Sequence, residues 1–167
     1  MTNRYRGAVA TGLLVAGAAA LTGAVSGSAA NNQVKTVHIE TVKPHTEILD
    51  FGPKGKSPGD VYVFDSMITT ANGRTVIGRL RGTQTEIKVE SGMETVQGML
   101  TYEIGKGNEL IVGGVSEYSV KGTGLLKGRT FVRPVLGGSG KYAGAHGQVF
   151  SQQLSGGRYD QVFQLTY

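Results

Sequence analysis

Two side chains in the sequence are suited to acid–base chemistry, the carboxyl of Asp65 and the imidazole of His146. Asp65 lies in the run 60–71, whose alternating pattern predicts a strand. A carboxyl that faces an apolar interior loses hydration, which raises its pKa and suits it to proton transfer near neutral pH. The unperturbed pKa of histidine is close to neutrality, so His146 could act as the partner acid or base. We therefore take Asp65 and His146 as candidate catalytic residues.

The orientation of Asp65 decides whether this chemistry is available. Alternation places Asp65 on an apolar face, together with Val61, Val63 and Met67. We expect that face to point inward, but the opposite face is just as apolar, with Tyr62, Phe64 and Ile68. The alternatives are an Asp65 that faces outward or pairs with an arginine, and a His146 that only follows a glycine turn.

Three further residues are candidates for ligand binding. Arg79 and Arg81 lie on one face of the predicted strand 74–90, where they could hold an anionic ligand or face solvent. Tyr102 lies in the clearly alternating run 94–104. It could line a binding site, or it could simply pack in the interior or at an interface.

The N-terminus has the three-part pattern of a secretory signal peptide. Arg4 and Arg6 precede an apolar stretch at 7–25, and the small residues 28–30 precede Asn31. The alternative is a retained membrane helix, which the glycines of this stretch weaken, and no Cys offers a lipid attachment site. We expect cleavage near Asn31, a secreted, extracellular protein, and no stable membrane anchor after cleavage.

Composition excludes several classes of function. The chain has no Cys, which excludes thiolate metal sites and cysteine nucleophiles. His38 and His45 lack the spacing of a metal-ligand pair. The formal charge of +5 falls to +3 when the two arginines leave with the signal, and the remaining basic residues are scattered. Because nucleic-acid binding favours a basic stripe with aromatic platforms, we expect no nucleic-acid partner.

The rest of the chain has the sequence pattern of an all-β domain. After a first strand at 36–43 and a Pro- and Gly-rich loop at 44–59, strand-like runs alternate with glycine turns. These runs are 60–71, 74–90, 94–104, 109–119, 129–136, 147–154 and 158–167. About eight strands joined by short turns predict a barrel or a sandwich. We divide the chain into a signal peptide (1–30), an N-terminal strand and loop (31–58) and the barrel (59–167), the last two forming a single domain.

One segment carries a resemblance to a known superfamily. Residues 137–149 (GGSGKYAGAHGQV) resemble the signature of the allene oxide cyclase/dirigent barrels: a glycine-rich turn, an aromatic residue and small residues ending in glycine. The following Gln152-Gln153-Leu154 is similar to allene oxide cyclases. Upstream, 59–65 and 77–82 resemble successive barrel strands, so the resemblance covers roughly residues 59–167.

The resemblance implies an eight-stranded antiparallel β-barrel, often trimeric, with an apolar lumen open at one end and no metal or organic cofactor. Allene oxide cyclases isomerise an epoxide in that lumen, and dirigent proteins steer the coupling or cyclisation of a reactive intermediate. Asp65 matches an aspartate that lines the dirigent lumen. Lys141 and His146 stand where dirigent proteins have Asp and Arg, and Ser66 where cyclases have Asn.

On this basis we expect a secreted barrel that binds a small hydrophobic or phenolic molecule and guides its isomerisation or cyclisation. The alternative is a non-catalytic extracellular barrel with a ligand-binding or structural role. Ionisable groups that converge on an open pocket would favour catalysis, and a wholly apolar or collapsed lumen the alternative. We also expect a homotrimer, because both faces of the run 60–71 are apolar and one lumen cannot use both.

Overall fold

The computed structural model describes residues 33–122 and 124–167. The strands are β1 (Lys35–Thr41), β2 (His45–Leu49), β3 (Val61–Thr70), β4 (Val76–Glu90), β5 (Met93–Ile104), β6 (Glu109–Ser119), β7 (Thr130–Gly138), β8 (His146–Gln153) and β9 (Tyr159–Thr166). Two single-turn 3₁₀ helices lie at Gly140–Tyr142 and Ser155–Gly157. Within the described ranges no helix is long and apolar enough to span a bilayer. The signal peptide predicted at 1–30 lies outside the described residues.

The strands close into a barrel. Neighbouring strands are antiparallel in the order β1-β9-β8-β7-β6-β5-β4-β3, and β1 also pairs with β3, with Ile39 opposite Thr70. Eight strands therefore form a closed ring, as predicted. Because a closed ring has no free edges, its inward side chains make one enclosed interior.

The extra strand β2 departs from the predicted loop at 44–59. It runs along β3 beyond the end of β1, with His45 opposite Asp65. Pro44 separates β1 from β2, and a proline has no N–H to donate to a ladder. The chain therefore breaks its pairing there and resumes it on the same edge of β3.

Among the glycine turns between the predicted strands, Ser91-Gly92 and Asn72-Gly73 join β4 to β5 and β3 to β4. Ser91 and Gly92 both have positive φ, 52° and 79°, as a two-residue turn between β4 and β5 requires. At Asn72-Gly73 only the glycine has positive φ. There the turn is longer, and the Asn72 side chain stabilises it by accepting a hydrogen bond from the Arg74 amide at 3.1 Å.

The interior has an apolar floor and a polar upper half. The floor lies at the end where β6 and β9 meet the 3₁₀ turn, and its buried side chains include Ile39, Ile68, Ile104, Leu110, Tyr142, Phe163 and Leu165. The opposite end, which we call the mouth, lies where β3 and β9 begin. A smaller apolar cluster of Tyr62, Val96, Tyr118 and Leu125 occupies the mouth.

Large inward side chains sit beside glycines on the neighbouring strands. Phe64 is opposite Gly82, where an added Cβ would lie 2.9 Å from the Phe64 ring. Gln84 is opposite Gly98, where an added Cβ would lie 2.4 Å from Gln84 Cγ. These glycines make room for the larger side chains. Their pairing also shows that the Phe64 face of β3 points inward, so the Asp65 face points outward.

Gly78 gives a direct test of this packing. An added Cβ there would lie 1.8 Å from the carbonyl oxygen of Glu103, a backbone atom that cannot move aside. We expect Gly78→Ala to lower the free energy of unfolding by about 1–3 kcal/mol, the usual cost of overpacking. Gly137 in β7 has open space at its Cβ position, so Gly137→Ala is the matched control, with an effect within about 0.5 kcal/mol. Urea unfolding measures both, and equal losses would contradict the packing.

Candidate functional site

The upper half of the lumen contains the candidate site. A space of about 50 Å³ remains there, between the apolar floor and the mouth. Its polar lining includes Thr41, Gln84, Tyr102, Tyr118, Arg133 and Gln161, and its apolar lining includes Phe64, Leu80 and Leu100. Leu125 and Tyr159 line it toward the mouth. The site therefore combines an apolar base with several polar groups that face one another.

Arg133 is the most unusual of these groups. The side chain is only 5% exposed, yet its guanidinium has no ion-pair partner among residues 33–122 and 124–167, and the remaining residues contain no Asp or Glu. Nη2 donates to the Ser151 hydroxyl at 3.2 Å, which in turn donates to Oε1 of Gln161 at 2.5 Å. Nε has no partner. The lumen thus contains a cation that is positioned but not neutralised.

The wall beside Arg133 is interrupted. The ladder between β6 and β7 ends at the pair Val112–Val135. Beyond it lie Pro134, which cannot donate to β6, and Gly114, whose φ of 118° marks a local break in β6. Leu125, from the loop that follows β6, is buried in the mouth cluster. The mouth half of this wall is therefore completed by a loop side chain rather than by strand pairing.

Tyr102 lies against the floor, where its ring meets Phe163 edge-on at a centroid distance of 5.1 Å. Its hydroxyl is buried without a partner. Burial raises the pKa of Tyr102, and the nearby positive charge of Arg133 partly offsets the rise. Tyr102 therefore stays protonated at physiological pH and is available as a hydrogen-bond donor beside Arg133.

A second polar group, at the mouth, consists of two buried glutamates around one tyrosine. The Tyr62 hydroxyl lies 2.8 Å from Oε2 of Glu94 and 3.0 Å from Oε2 of Glu86. Lys56 reaches Glu94 Oε1 at 2.7 Å. We call these four residues the carboxyl cluster. Because Lys56 supplies one positive charge for two carboxyl groups, the cluster is neutral only when one of them is protonated.

The hydrogen-bond count shows that one glutamate is protonated, and the Lys56 contact indicates which one. A phenol carries one hydrogen, so the Tyr62 hydroxyl can donate to only one of the two glutamates and must accept from the other. Because Lys56 pairs with Glu94, the arrangement favoured is one in which Tyr62 donates to Glu94 and accepts from a protonated Glu86. Burial, reinforced by the charge of Glu94, raises the pKa of Glu86 despite the opposing hydrogen bond from Tyr62. The geometry and the pKa direction therefore agree that Glu86 carries the proton.

The loop before β3 brings Lys56 to the cluster. The Asp60 carboxylate accepts hydrogen bonds from the amides of Ser57, at 2.8 Å, and Phe51, at 3.0 Å. These bonds, led by that from Ser57, lower the pKa of Asp60. Lys56 also donates to the Gly122 carbonyl at 2.7 Å. Lys56 thus links the loops before β3 and after β6 across the mouth.

Comparisons with known proteins identify the architecture. No protein-family model matches the sequence, and no similar protein is found among curated sequences. Among solved structures, a pyocyanin demethylase superposes with a TM-score of 0.66 at 18% identity, covering 79% of this chain and 100% of that one. A heme-binding cyclase that catalyses a [4 + 2] cycloaddition gives a TM-score of 0.60 at 19% identity, covering 82% and 65%. A pterocarpan synthase dirigent protein gives 0.57 at 15% identity, covering 81% and 86%.

This chain has the allene oxide cyclase/dirigent-like barrel fold. The superfamily resemblance read from the sequence is therefore confirmed at the level of fold.

The dirigent-like barrel does not carry Asp65 in its lumen, so the predicted orientation of this residue is wrong. Asp65 lies on the outer wall in a two-pronged ion pair with Arg79, at 2.6 and 2.5 Å. Those hydrogen bonds lower the pKa of Asp65, opposite to the predicted rise. The outer wall of β3 is apolar enough, with Val63 and Met67 exposed, to resemble an inner face in the sequence.

The other predicted site residues are dispersed. Arg79 and Arg81 lie on the outer wall beside Asp65, and Arg81 also reaches Glu103 at 3.5 Å. His146 is exposed at the start of β8, on a strand that does not neighbour β3, and its Nδ1 lies 3.2 Å from the Gly144 carbonyl. Asp65 and His146 therefore do not form a site together. Tyr102 alone lies in the lumen.

Sequence reasoning missed Arg133 and the carboxyl cluster. In β7 the two faces have nearly equal polarity, so alternation gave no reason to place Arg133 inside. Glu86 carried a usable signal, because it continues the face of Leu80 and Gln84 along β4. Gly82, which lies opposite Phe64, was a second signal, since a glycine inside a strand often marks a place where another group approaches closely.

Protonation of Glu86 makes stability depend on pH. The pKa of Glu86 is higher in the folded barrel than the ordinary value of 4.5. The folded barrel therefore holds this proton more tightly than the unfolded chain, and its contribution to stability is lost as pH rises through the raised pKa. Glu86→Gln keeps a donor to Tyr62 and cannot ionise, so we expect a flatter dependence of the unfolding free energy on pH above 4.5. Urea unfolding at several pH values measures it.

The control for this prediction is Glu117→Gln. The Glu117 side chain is 53% exposed and pairs with Arg129 on the outer wall. It should leave the pH dependence of wild type unchanged. A Glu86→Gln profile that matches that of wild type would show that Glu86 is ionised in the folded barrel.

Proposed function

We propose that the barrel binds one small apolar or phenolic molecule in its lumen and guides its isomerisation or cyclisation. The observation that carries this proposal is a set of buried polar atoms without partners, all on inward-facing residues of the upper lumen. They are Thr41 Oγ1, Glu86 Oε1, Tyr102 OH, Ser116 Oγ and Arg133 Nε. Buried polar atoms are nearly always hydrogen-bonded in folded proteins. Three of these five, on Thr41, Tyr102 and Arg133, line the space described above, which supports a site that a ligand completes.

Two features of the lumen support a catalytic role. The apolar floor can hold a hydrocarbon framework in one folded conformation, and confinement of that kind lowers the entropic barrier to ring closure. Ionisable groups also converge on the space, which Arg133, Tyr102 and Tyr62 line, and Tyr62 is in contact with Glu86. The structurally similar proteins include a [4 + 2] cyclase and a Diels-Alderase from Streptomyces koyangensis, which is consistent with cyclisation in such a lumen.

The second candidate function is a non-catalytic extracellular barrel with a ligand-binding or structural role. The observation that favours it is the small open space of about 50 Å³ beneath Leu125. A space of that size holds a few waters and not a substrate. Catalysis therefore requires that the side chains at the mouth move to admit a ligand.

Export and self-association complete the proposal. The signal-like N-terminus supports secretion, and an outer-wall groove of about 520 Å³ beside Val63 and Met99 supports a covering copy of the chain in a trimer.

Protein recovered from culture medium should begin near Asn31 by N-terminal sequencing and should sediment as a trimer. Recovery of a full-length, cell-associated chain would contradict export, and a monomer at micromolar concentration would contradict the trimer.

Binding in the lumen can be tested with a simple probe, 4-phenyl-1-butanol, by isothermal titration calorimetry. Thr46 lies opposite Phe64 on β2 and lines both the inner space and the mouth, so Thr46→Trp should block entry. Thr85 lies on the outer wall, which makes Thr85→Trp the matched control. We expect wild type and Thr85→Trp to bind one probe per chain and Thr46→Trp to lose binding. Unchanged binding by Thr46→Trp would refute a lumen site, and so would a wild type that binds neither this alcohol nor the corresponding acid, 4-phenylbutyrate.

A further inference from the structure

We propose that the ligand of this lumen carries one anionic oxygen, a carboxylate or an enolate or phenolate, on an apolar body. Arg133 and Tyr102 bind the oxygen, and the floor around Phe163 receives the body. This inference rests on the proposed function, because it names the chemical class of molecule that the same site accepts.

The buried charge of Arg133 favours an anionic ligand. Arg133 is buried, its guanidinium stays protonated in proteins, and no carboxylate pairs with it in the described part of the chain. A buried cation without a counter-charge destabilises a fold unless something neutralises it. A ligand anion would do so, and none of the side chains around the space can replace it.

The polar atoms without partners on Arg133 and Tyr102 favour an acceptor oxygen as well. Arg133 Nε can only donate a hydrogen bond. The Tyr102 hydroxyl can also donate, because no neighbouring group accepts its proton. Arg133 Nη2 donates to the Ser151 hydroxyl, which Gln161 holds in turn, so the guanidinium is positioned beside the space. Two free donors beside a fixed positive charge are complementary to an acceptor oxygen, and most strongly to a charged one.

The mouth through which a ligand would reach the site is positively charged. A wider space of about 320 Å³ lies at the mouth and shares Pro44, Thr46, Leu125 and Tyr159 with the inner one. Its charged lining consists of Lys43, Lys121 and Lys127, with no acidic residue among the described residues around it. A cleft lined by charges of one sign concentrates ligands of the opposite sign. The entrance therefore favours the same class of ligand as Arg133.

The carboxyl cluster does not oppose an anion. Glu94 is paired with Lys56, and Glu86 carries the shared proton, so the cluster contributes no net negative charge to the upper lumen. Two other titratable groups lie near it. The Asp60 carboxylate accepts hydrogen bonds from the amides of its own loop, and the Tyr118 hydroxyl donates to Gln84 at 2.9 Å. Arg133 is thus the dominant charge on the ligand site itself.

A matched pair of probes tests the inference: 4-phenylbutyrate and 4-phenyl-1-butanol, which share an apolar body and differ in the charged oxygen. In isothermal titration calorimetry we expect wild type to bind the acid at least about tenfold more tightly than the alcohol, as charge-assisted hydrogen bonds imply. Arg133→Gln should remove this preference and keep the affinity for the alcohol. Arg129→Gln, which changes an exposed arginine paired with Glu117, is the control and should keep the preference.

The outcomes separate this inference from the proposed function. If the alcohol binds and the acid binds no better, lumen binding stands and the anion site is refuted, even where Arg133→Gln fails to fold. A preference that survives in a folded Arg133→Gln variant also refutes it. If neither probe binds wild type, the proposed function fails, and the inference fails with it.

Discussion

The interior of a closed eight-stranded barrel has a fixed and small volume, and the rest of this structure depends on that constraint. Strands cannot separate to admit a large side chain, so each one needs a small neighbour. Gly82 makes room for Phe64, and Gly98 for Gln84. The floor is filled by apolar side chains such as Ile68, Leu110 and Phe163. In the upper half a space remains, and its lining includes Thr41, Tyr102 and Arg133, each of which has a polar atom without a partner.

The charges of that upper half are balanced unevenly. On the β3–β5 side, Lys56, Tyr62, Glu86 and Glu94 form a closed group in which one proton and one lysine neutralise two carboxyls. Across the lumen, Arg133 donates only to the neutral hydroxyl of Ser151, which donates in turn to Gln161. A barrel whose interior served packing alone would gain stability from an apolar residue at position 133. The retained guanidinium is therefore best explained by a ligand, and the lysines at the mouth are consistent with an anionic one.

Alternation and glycine turns predicted about eight strands in a barrel or a sandwich, because a strand repeats every two residues and tight turns favour residues with positive φ. The superfamily resemblance of residues 137–149 selected the barrel. The strand β2 was missed because Pro44 and the following glycines resemble a loop, although the edge of β3 offers a partner. The site was harder to predict. Both faces of β3 are apolar, so the sequence did not show which one points inward. Asp65 was assigned to the inner face, although it lies on the outer one. Only the pairing of strands shows that Arg133, Tyr102 and Glu86 face a common space.

A crystal structure of residues 31–167 grown with 4-phenylbutyrate would show directly where a ligand carboxylate lies. We expect the carboxylate within hydrogen-bonding distance of Arg133 and the Tyr102 hydroxyl, with the phenyl ring toward Phe163 and Leu125 displaced from the mouth. A probe bound on the outer wall at Arg79 and Arg81, with Arg133 still buried and unoccupied, would contradict it.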